Sequence, residues 1–271
     1  MRIPFTKMHG AANDFVVIDH REPYLPADPR ALFARLCDRR RGVGADGVLL
    51  LEGDGEFDFG MRYHNADGGA AEFCGNGARC IARFALDLGL GRGGDVVFRT
   101  AVGAKRARAL PDGRIALEFG AVPEGEDVRV RVAGQAVDGW LVTTGVPHFV
   151  VPVPDVAAVP LATVAPPLRA HERFGLAGAN VDFVAPRPDG RVAMRTYERG
   201  VEGETLACGS GAIASALWAV TRAAAPQPVT VRTAGGDDLV VEFGGGPEHR
   251  SAILTGPAEV AYTGLWDEAV R

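Results

Sequence analysis

Cys74 and Cys208 each open a near-copy of one hexapeptide: Cys74-Gly75-Asn76-Gly77-Ala78-Arg79 and Cys208-Gly209-Ser210-Gly211-Ala212-Ile213. They stand 208 − 74 = 134 positions apart in a chain of 271 residues. The chain therefore reads as two related halves, each presenting one thiol. A free thiol titrates near ~8.5 and is mostly protonated at neutral pH, whereas a helix N-terminus favours the thiolate. The N–H groups at such a terminus also bind carboxylates, and flanking glycines let backbone amides approach a ligand closely. Two such termini facing each other would grip one carboxylate with a sulfur on each side. One thiolate would remove the α-proton, the amides would stabilise the enediolate-like charge, and the opposite thiol would return a proton. The predicted chemistry is inversion of a carbon next to a carboxylate.

Other uses of these residues fit less well. Cys37 and Cys80 fall within predicted helices and read as small buried hydrophobes. Four cysteines in a chain this long make no disulfide scaffold, and their spacings lack the C-x-x-C and nearby histidines of a zinc site, so no metal is expected. C-G-N-G is not followed by the G-K-[ST] of a phosphate loop. Lys7 and Lys105 are the only lysines and neither lies in a pyridoxal phosphate motif, so chemistry without a cofactor is expected.

The elements that must hold the thiols follow from periodicity. A helix is predicted from Asn76 to Leu88, stopped by Gly89, and a second from Gly211 to Arg222; both are apolar over most of their circumference and should be buried. An amphipathic helix is predicted from Pro29 to Arg40, with Leu32, Phe33, Leu36 and Cys37 on one side. Strands are predicted at 15–19, 47–52 and 57–63, then at 128–132, 139–143, 149–153, 181–185, 192–197, 229–232, 239–243 and 252–255. Ile115 to Gly125 reads as the crossover between halves, with Gly120, Pro123 and Gly125 as turn residues. The Pro- and Ala-rich stretch 152–167 reads as a surface loop. An α+β fold is expected, of two pseudo-symmetric domains, each a mixed β-sheet wrapped around a central α-helix.

Composition is that of an ordinary globular protein, with 47% hydrophobic and 23% charged residues. The net charge of −5 gives no reason to expect nucleic acid or an anionic membrane as partner. The first residues lack the apolar core of a signal peptide, and the longest apolar run, Ala212 to Val220, falls far short of a membrane span. A reduced, cytoplasmic protein is expected.

Five blocks carry a family resemblance. They are Lys7-Met8-His9-Gly10-Ala11-Ala12-Asn13-Asp14-Phe15, Gly42-Val43-Gly44-Ala45-Asp46-Gly47, and Asn65-Ala66-Asp67-Gly68, then Cys74 to Cys80 and Tyr197-Glu198-Arg199-Gly200 with Glu204 to Gly209. Together they resemble the diaminopimelate epimerase family from Lys7 to at least Gly211. The resemblance implies cofactor-independent interconversion of LL- and meso-diaminopimelate, in lysine and peptidoglycan biosynthesis. It makes Cys74 and Cys208 the acid–base pair, with His148 and Glu198 beside the thiols. Backbone amides of Gly75-Asn76 and Gly209-Ser210 would hold the α-carboxylate, Asn13, Asn65 and Asn180 would surround the substrate, and Arg199 would clasp the distal carboxylate. It also implies domains at 1–118 with 257–271 and at 119–256, and a homodimer with Tyr262 at the contact. Alternatives keep the mechanism on proline, hydroxyproline or histidine, or make the thiols a redox sensor.

The chain departs from the pattern at four places. Ala11-Ala12 replaces a common Leu-Gly, a change expected to affect only packing. Gly47 stands where some members have a substrate-touching glutamine. Val146 replaces a substrate-binding asparagine, and losing a hydrogen bond to a charged group costs about 1.5–3 kcal/mol. Glu202 is an extra residue relative to E-R-G-x-G-E-T. Distal-end recognition is where these changes bear.

Overall fold

The computed structural model describes residues 1–246 and 249–268. The chain divides into two compact units, residues 1–118 with 256–271 and residues 119–255. Of the segment 257–271 expected in the first domain, residues 269–271 lie outside the described residues.

The first unit opens with β1 (Arg2–Gly10) and β2 (Asn13–Asp19), an antiparallel hairpin in which Gly10 faces Asn13. Its two-residue turn is Ala11-Ala12, and both alanines have positive φ, 56° and 65°. This corrects the expectation of a mere packing change: a Cβ in the left-handed region carries a backbone penalty that glycine avoids. Helix α1 (Arg30–Cys37) is shorter than the predicted 29–40. Asp38 stops it by taking the backbone N–H groups of Arg40 and Arg41 on its carboxylate, both at 2.8 Å, a local bond that competes with another helical turn. Strand β3 (Gly47–Glu52) runs parallel to β2, and β4 (Phe59–Asn65) antiparallel to β3. Strand β4 begins two residues beyond the predicted start because the Asp54 carboxylate holds the N–H groups of Glu56 and Phe57 in a turn at 2.9 Å. Then come β5 (Ala70–Ala71), α2 (Gly75–Asp87), β6 (Asp95–Thr100), β7 (Gly103–Ala109) and β8 (Ile115–Ala121). Strand β6 is parallel to β4, and β6, β7 and β8 form an antiparallel meander. The predicted crossover at 115–125 is where the chain passes from the first unit to the second, but it does so as a strand rather than a turn over Ile115–Ala121, with Ile115, Leu117 and Phe119 alternately buried.

Helix α2 packs across β1, β2, β3, β4, β6 and β7. Period-two alternation decides what faces it. Phe15, Val17, Leu49, Leu51, Phe59 and Met61 meet Ala78, Ile81, Ala82 and Ala85, while Val16, Ile18, Val48 and Leu50 point the other way onto Leu32, Phe33 and Leu36 of α1. A Schellman motif ends α2: Gly89, at φ 78°, donates its N–H to Leu86, and Leu90 donates to Ala85.

The second unit repeats the plan. Its elements are β9 (Glu126–Val132), β10 (Gln135–Thr144), β11 (Val146–Pro152), α3 (Leu161–Arg169), β12 (Asn180–Pro186), β13 (Val192–Glu198) and β14 (Gly203–Thr205). They continue with α4 (Gly209–Arg222), β15 (Val229–Arg232), β16 (Asp238–Gly244) and β17 (Ser251–Gly256). Strands β11 and β12 are parallel with α3 between them, as β2 and β3 are around α1. Strands β13 and β15 are parallel with β14 and α4 between them, as β4 and β6 are around β5 and α2. Helix α4 packs across β10, β11, β12, β13, β15 and β16. Each unit is therefore a mixed sheet around a buried central helix, as the sequence predicts. Helix α3 corrects the predicted surface loop at 152–167. Pro166 and Pro167 lie inside it, and its buried Leu161, Ala165 and Leu168 recur at i, i+4 and i+7 against the sheet, so packing outweighs propensity. Strand β18 (Glu259–Asp267) closes the chain by pairing antiparallel with β1 in the first unit.

Candidate active site

Each predicted cysteine is the residue that caps a central helix. Cys74 has φ −138° and ψ 118°, and Cys208 has φ −122° and ψ 114°. Both are extended, and their carbonyls accept the first helical bonds, from Ala78 at 2.8 Å and Ala212 at 2.9 Å. The glycines after each cysteine serve close approach. A Cβ on Gly211 would stand 2.6 Å from Asp182 Oδ1 and 3.3 Å from Cys208 Sγ.

In the first unit the strand period brings Asn13, Gly47 and Asn65 to the α2 face, in step with Phe15, Leu49 and Tyr63. Registers link them: Phe15 pairs with Gly47, and Gly47 with Asn65. The Asn13 amide is oriented from behind. Its Nδ2 donates to Asp46 Oδ2 at 2.7 Å, which leaves Oδ1 to accept from Cys74 Sγ at 3.5 Å and from Asn76 Nδ2 at 3.2 Å. Fully buried Arg79 donates to Asn76 Oδ1 at 2.8 Å, so that amide is oriented too. Asp46 accepts from Arg39, Arg39 pairs with Asp14, and Lys7 donates to Asp14 at 2.6 Å. Burial alone would raise the Asp14 carboxyl, but the hydrogen bonds and charges of Arg39 and Lys7 outweigh it and hold the pKa down at about 2. Asn65 is exposed at the end of β4, its backbone turned by Gly68 at φ 78°. At Gly47 a Cβ would meet the His64 carbonyl at 2.4 Å and the Tyr63 ring at 2.7 Å, so these neighbours fill the space a longer residue would need.

In the second unit, Val181, Phe183 and Ala185 of β12 turn toward α3, which sends Asn180 and Asp182 to the α4 side. The same alternation sends His148 of β11 and Thr196 and Glu198 of β13 there, and the pairings His148 with Asn180 and Asp182 with Thr196 align them. His148 Nδ1 lies 2.6 Å from Asp182 Oδ2, and both side chains are fully buried. Asp182 Oδ1 accepts from Thr196 Oγ1 at 2.7 Å. His148 Nε2 lies 2.9 Å from Ser210 Oγ, which is 3.5 Å from Cys208 Sγ. Asn180 Oδ1 accepts from the Arg199 N–H at 2.8 Å, turning its Nδ2 toward His148 Nε2 at 3.3 Å. The Arg199 guanidinium makes no ion pair among the described residues. The additional residue Glu202, at φ 55°, binds Arg169 at 2.6 Å and the Gly200 N–H at 3.0 Å, so the insertion anchors the turn after Arg199.

The surroundings of Cys208 oppose its ionisation. Burial, then the carboxylates of Glu198 and Asp182, push Cys208 well above an ordinary thiol, against the Ser210 hydroxyl and the Gly211 N–H. At Cys208 the expected helix-terminus effect is therefore outweighed, and the sulfur is held as a thiol. Glu198 is raised in turn, chiefly by burial, which the Thr205 hydroxyl and His148 oppose. Cys37 and Cys80 are pushed up to about 11 and about 12 by burial, as expected of inert core thiols. Asp182 and Asp46 were not among the predicted site residues. A lone carboxylate in Val181-Asp182-Phe183-Val184-Ala185, a strand otherwise apolar, signals a buried partner.

Two like units, each a mixed sheet around a buried central helix, define the fold class. The same fold occurs in a hydroxyproline epimerase from Agrobacterium vitis crystallised with trans-4-hydroxy-L-proline, with TM-score 0.68, 18% identity, and 97% and 92% of the two chains covered. It occurs too in a phenazine biosynthesis protein of the PhzF family from Bacillus anthracis, with TM-score 0.74, 12% identity, and 98% and 99% covered. Within that class the sequence is specific. The diaminopimelate epimerase family model matches residues 5–128 and 140–260. Diaminopimelate epimerases from Methanocella arvoryzae and Aquifex aeolicus are 41% and 38% identical, each over 98% of this chain and 97% and 98% of their own. The chain belongs to the diaminopimelate epimerase family.

Proposed function

We propose that this protein interconverts LL- and meso-diaminopimelate by a two-cysteine proton transfer, with no cofactor, and so serves lysine and peptidoglycan synthesis. The carrying observation is the pair of matched capping cysteines in a chain that shares 38–41% identity with curated diaminopimelate epimerases over nearly its whole length. Inversion at an α-carbon needs an acceptor on one face and a donor on the other, and Cys74 and Cys208 take these roles, exchanging them with reaction direction. A Cys208 held as thiol suits the donor. The N–H groups of Gly75-Asn76 and Gly209-Ser210 stabilise the charge that develops on the α-carboxylate. Asn13, Asn65 and Asn180 position the substrate, His148 and Glu198 tune the thiols, and Arg199 pairs with the distal carboxylate in bidentate fashion.

Relatives with a proline-type substrate in their names share only 18% identity, so the diaminopimelate reading is preferred. Exposed Val260, Tyr262 and Leu265 on β18 support a homodimer, which sedimentation of a Tyr262→Ala variant tests by its loss. Among the described residues no helix is long and apolar enough to cross a membrane. The free cysteines Cys37, Cys74, Cys80 and Cys208 support a reducing compartment, the cytoplasm.

The deciding assay incubates LL-diaminopimelate in deuterated buffer with reductant and no added cofactor. Deuterium should enter one α-carbon as the meso form appears, and Cys74→Ala and Cys208→Ala should each lose at least about a hundredfold in kcat. Full turnover by both alanine variants rules the mechanism out.

A further inference from the structure

Asp182 is given no contact with substrate above, yet it is fully buried on the α4 face with both oxygens engaged, by His148 and by Thr196. We propose that Asp182 is a positioning residue that acts through His148 and Ser210 on Cys208. The catalytic part of this inference rests on the function proposed above.

The hydrogen bonds have a direction. The Arg199 N–H fixes Asn180 Oδ1, so Asn180 presents its amide donor to His148 Nε2 at 3.3 Å. A ring nitrogen that faces a donor is the acceptor, and the ring proton is then on Nδ1, where it donates to Asp182 Oδ2 at 2.6 Å. With Nε2 accepting, the Ser210 hydroxyl donates to it across 2.9 Å and turns its lone pairs to Cys208 Sγ, 3.5 Å away. The result is a path from thiol to hydroxyl to imidazole, backed by a carboxylate. When it carries a proton, the S–H bond of Cys208 breaks as Ser210 Oγ gains that proton. Ser210 passes its own to His148 Nε2, and thiolate and imidazolium remain beside an ionised Asp182. Running in reverse, the path reprotonates the sulfur. The charged and titratable groups around it are Glu198 on β13, Asp182 on β12 and Cys208 itself on α4. Glu198 hydrogen-bonds the Cys208 thiol directly, whereas Asp182 reaches it only through the ring whose tautomer it sets.

Nitrogen-15 NMR of the whole protein labelled at histidine, with His148 assigned by loss of its signals in His148→Gln, reads the tautomer without substrate. The expected result is a proton on Nδ1 at a strongly downfield position and an unprotonated Nε2. A resting enzyme with its proton on Nε2 overturns the proposal. Asp182→Asn and Ser210→Ala should each lower kcat at least about tenfold while KM stays within about twofold, since Asp182 is given no substrate contact and Ser210→Ala keeps the backbone N–H that faces the α-carboxylate. Unchanged kcat in Ser210→Ala also overturns it. If Asp182→Asn fails to fold, the wild-type spectrum and Ser210→Ala still decide. Because the spectrum needs no substrate, what it shows is independent of whether diaminopimelate is turned over.

Discussion

Cys208 is pushed up by burial first and by Glu198 second, which makes its titration adjustable by one residue. Replacing Glu198 with Gln keeps the shape and removes a negative charge, so the thiolate becomes easier to form and the thiol pKa falls. The pH dependence of Cys208 alkylation by iodoacetamide, in a Cys74→Ala background, should shift to lower pH. A profile that stays in place would show that Glu198 does not set the thiol. Residue chemistry of this kind was only half legible in the chain. The two thiols are visible because C-G-x-G recurs. Asp46 and Asp182 are not, because their partners Asn13 and His148 are 33 and 34 positions away and only the sheet registers bring them together.

The central helices α2 and α4 were readable as elements because each joins a cysteine-glycine start to an apolar run, and α2 has a glycine stop. Helix α3 was not, since its prolines speak for a loop and only its contacts with the sheet make it a helix. Strands β7, Gly-Ala-Lys-Arg-Ala-Arg-Ala, and β18, exposed over most of its length, lack the apolar alternation that marks a strand, and pairing with β6, β8 and β1 defines them. The β1–β2 turn offers a test of what local conformation contributes. Ala12 sits at φ 65°, so Ala12→Gly should relieve strain and stabilise by about 1 kcal/mol, seen as a higher unfolding midpoint. At the end of α2 the sign reverses. Gly89 has φ 78° with open space around it, so Gly89→Ala should cost about 1 kcal/mol through the backbone alone. Equal effects of one sign from the two substitutions would contradict a backbone origin for both.

At the scale of the whole molecule, the duplicated backbone repeats strand order, parallel pairs and capped helices, while the charges that surround the two caps are not repeated. Behind Asn13 stands an exposed-to-buried ladder of Asp46, Arg39, Asp14 and Lys7; behind Ser210 stand a buried imidazole and two carboxylates. The two sets respond oppositely to acid. Glu198 is raised, so the folded state holds its proton more tightly than the unfolded chain, and acidification toward its ordinary range of about 4.5 favours folding. Asp14 is lowered from 3.8 to about 2, so the unfolded chain takes up that proton first. Its contribution is fully present above about pH 4 and is lost as pH falls to about 2, with a size of about 2 kcal/mol. Denaturant unfolding of the native chain and of Asp14→Asn across this range isolates the effect. The variant should be less stable by at least about 2 kcal/mol at pH 7, and the gap should narrow steadily between pH 4 and pH 2 as the native carboxylate is protonated. A gap that does not change with pH would mean that Asp14 acts through shape and not through its charge with Lys7 and Arg39.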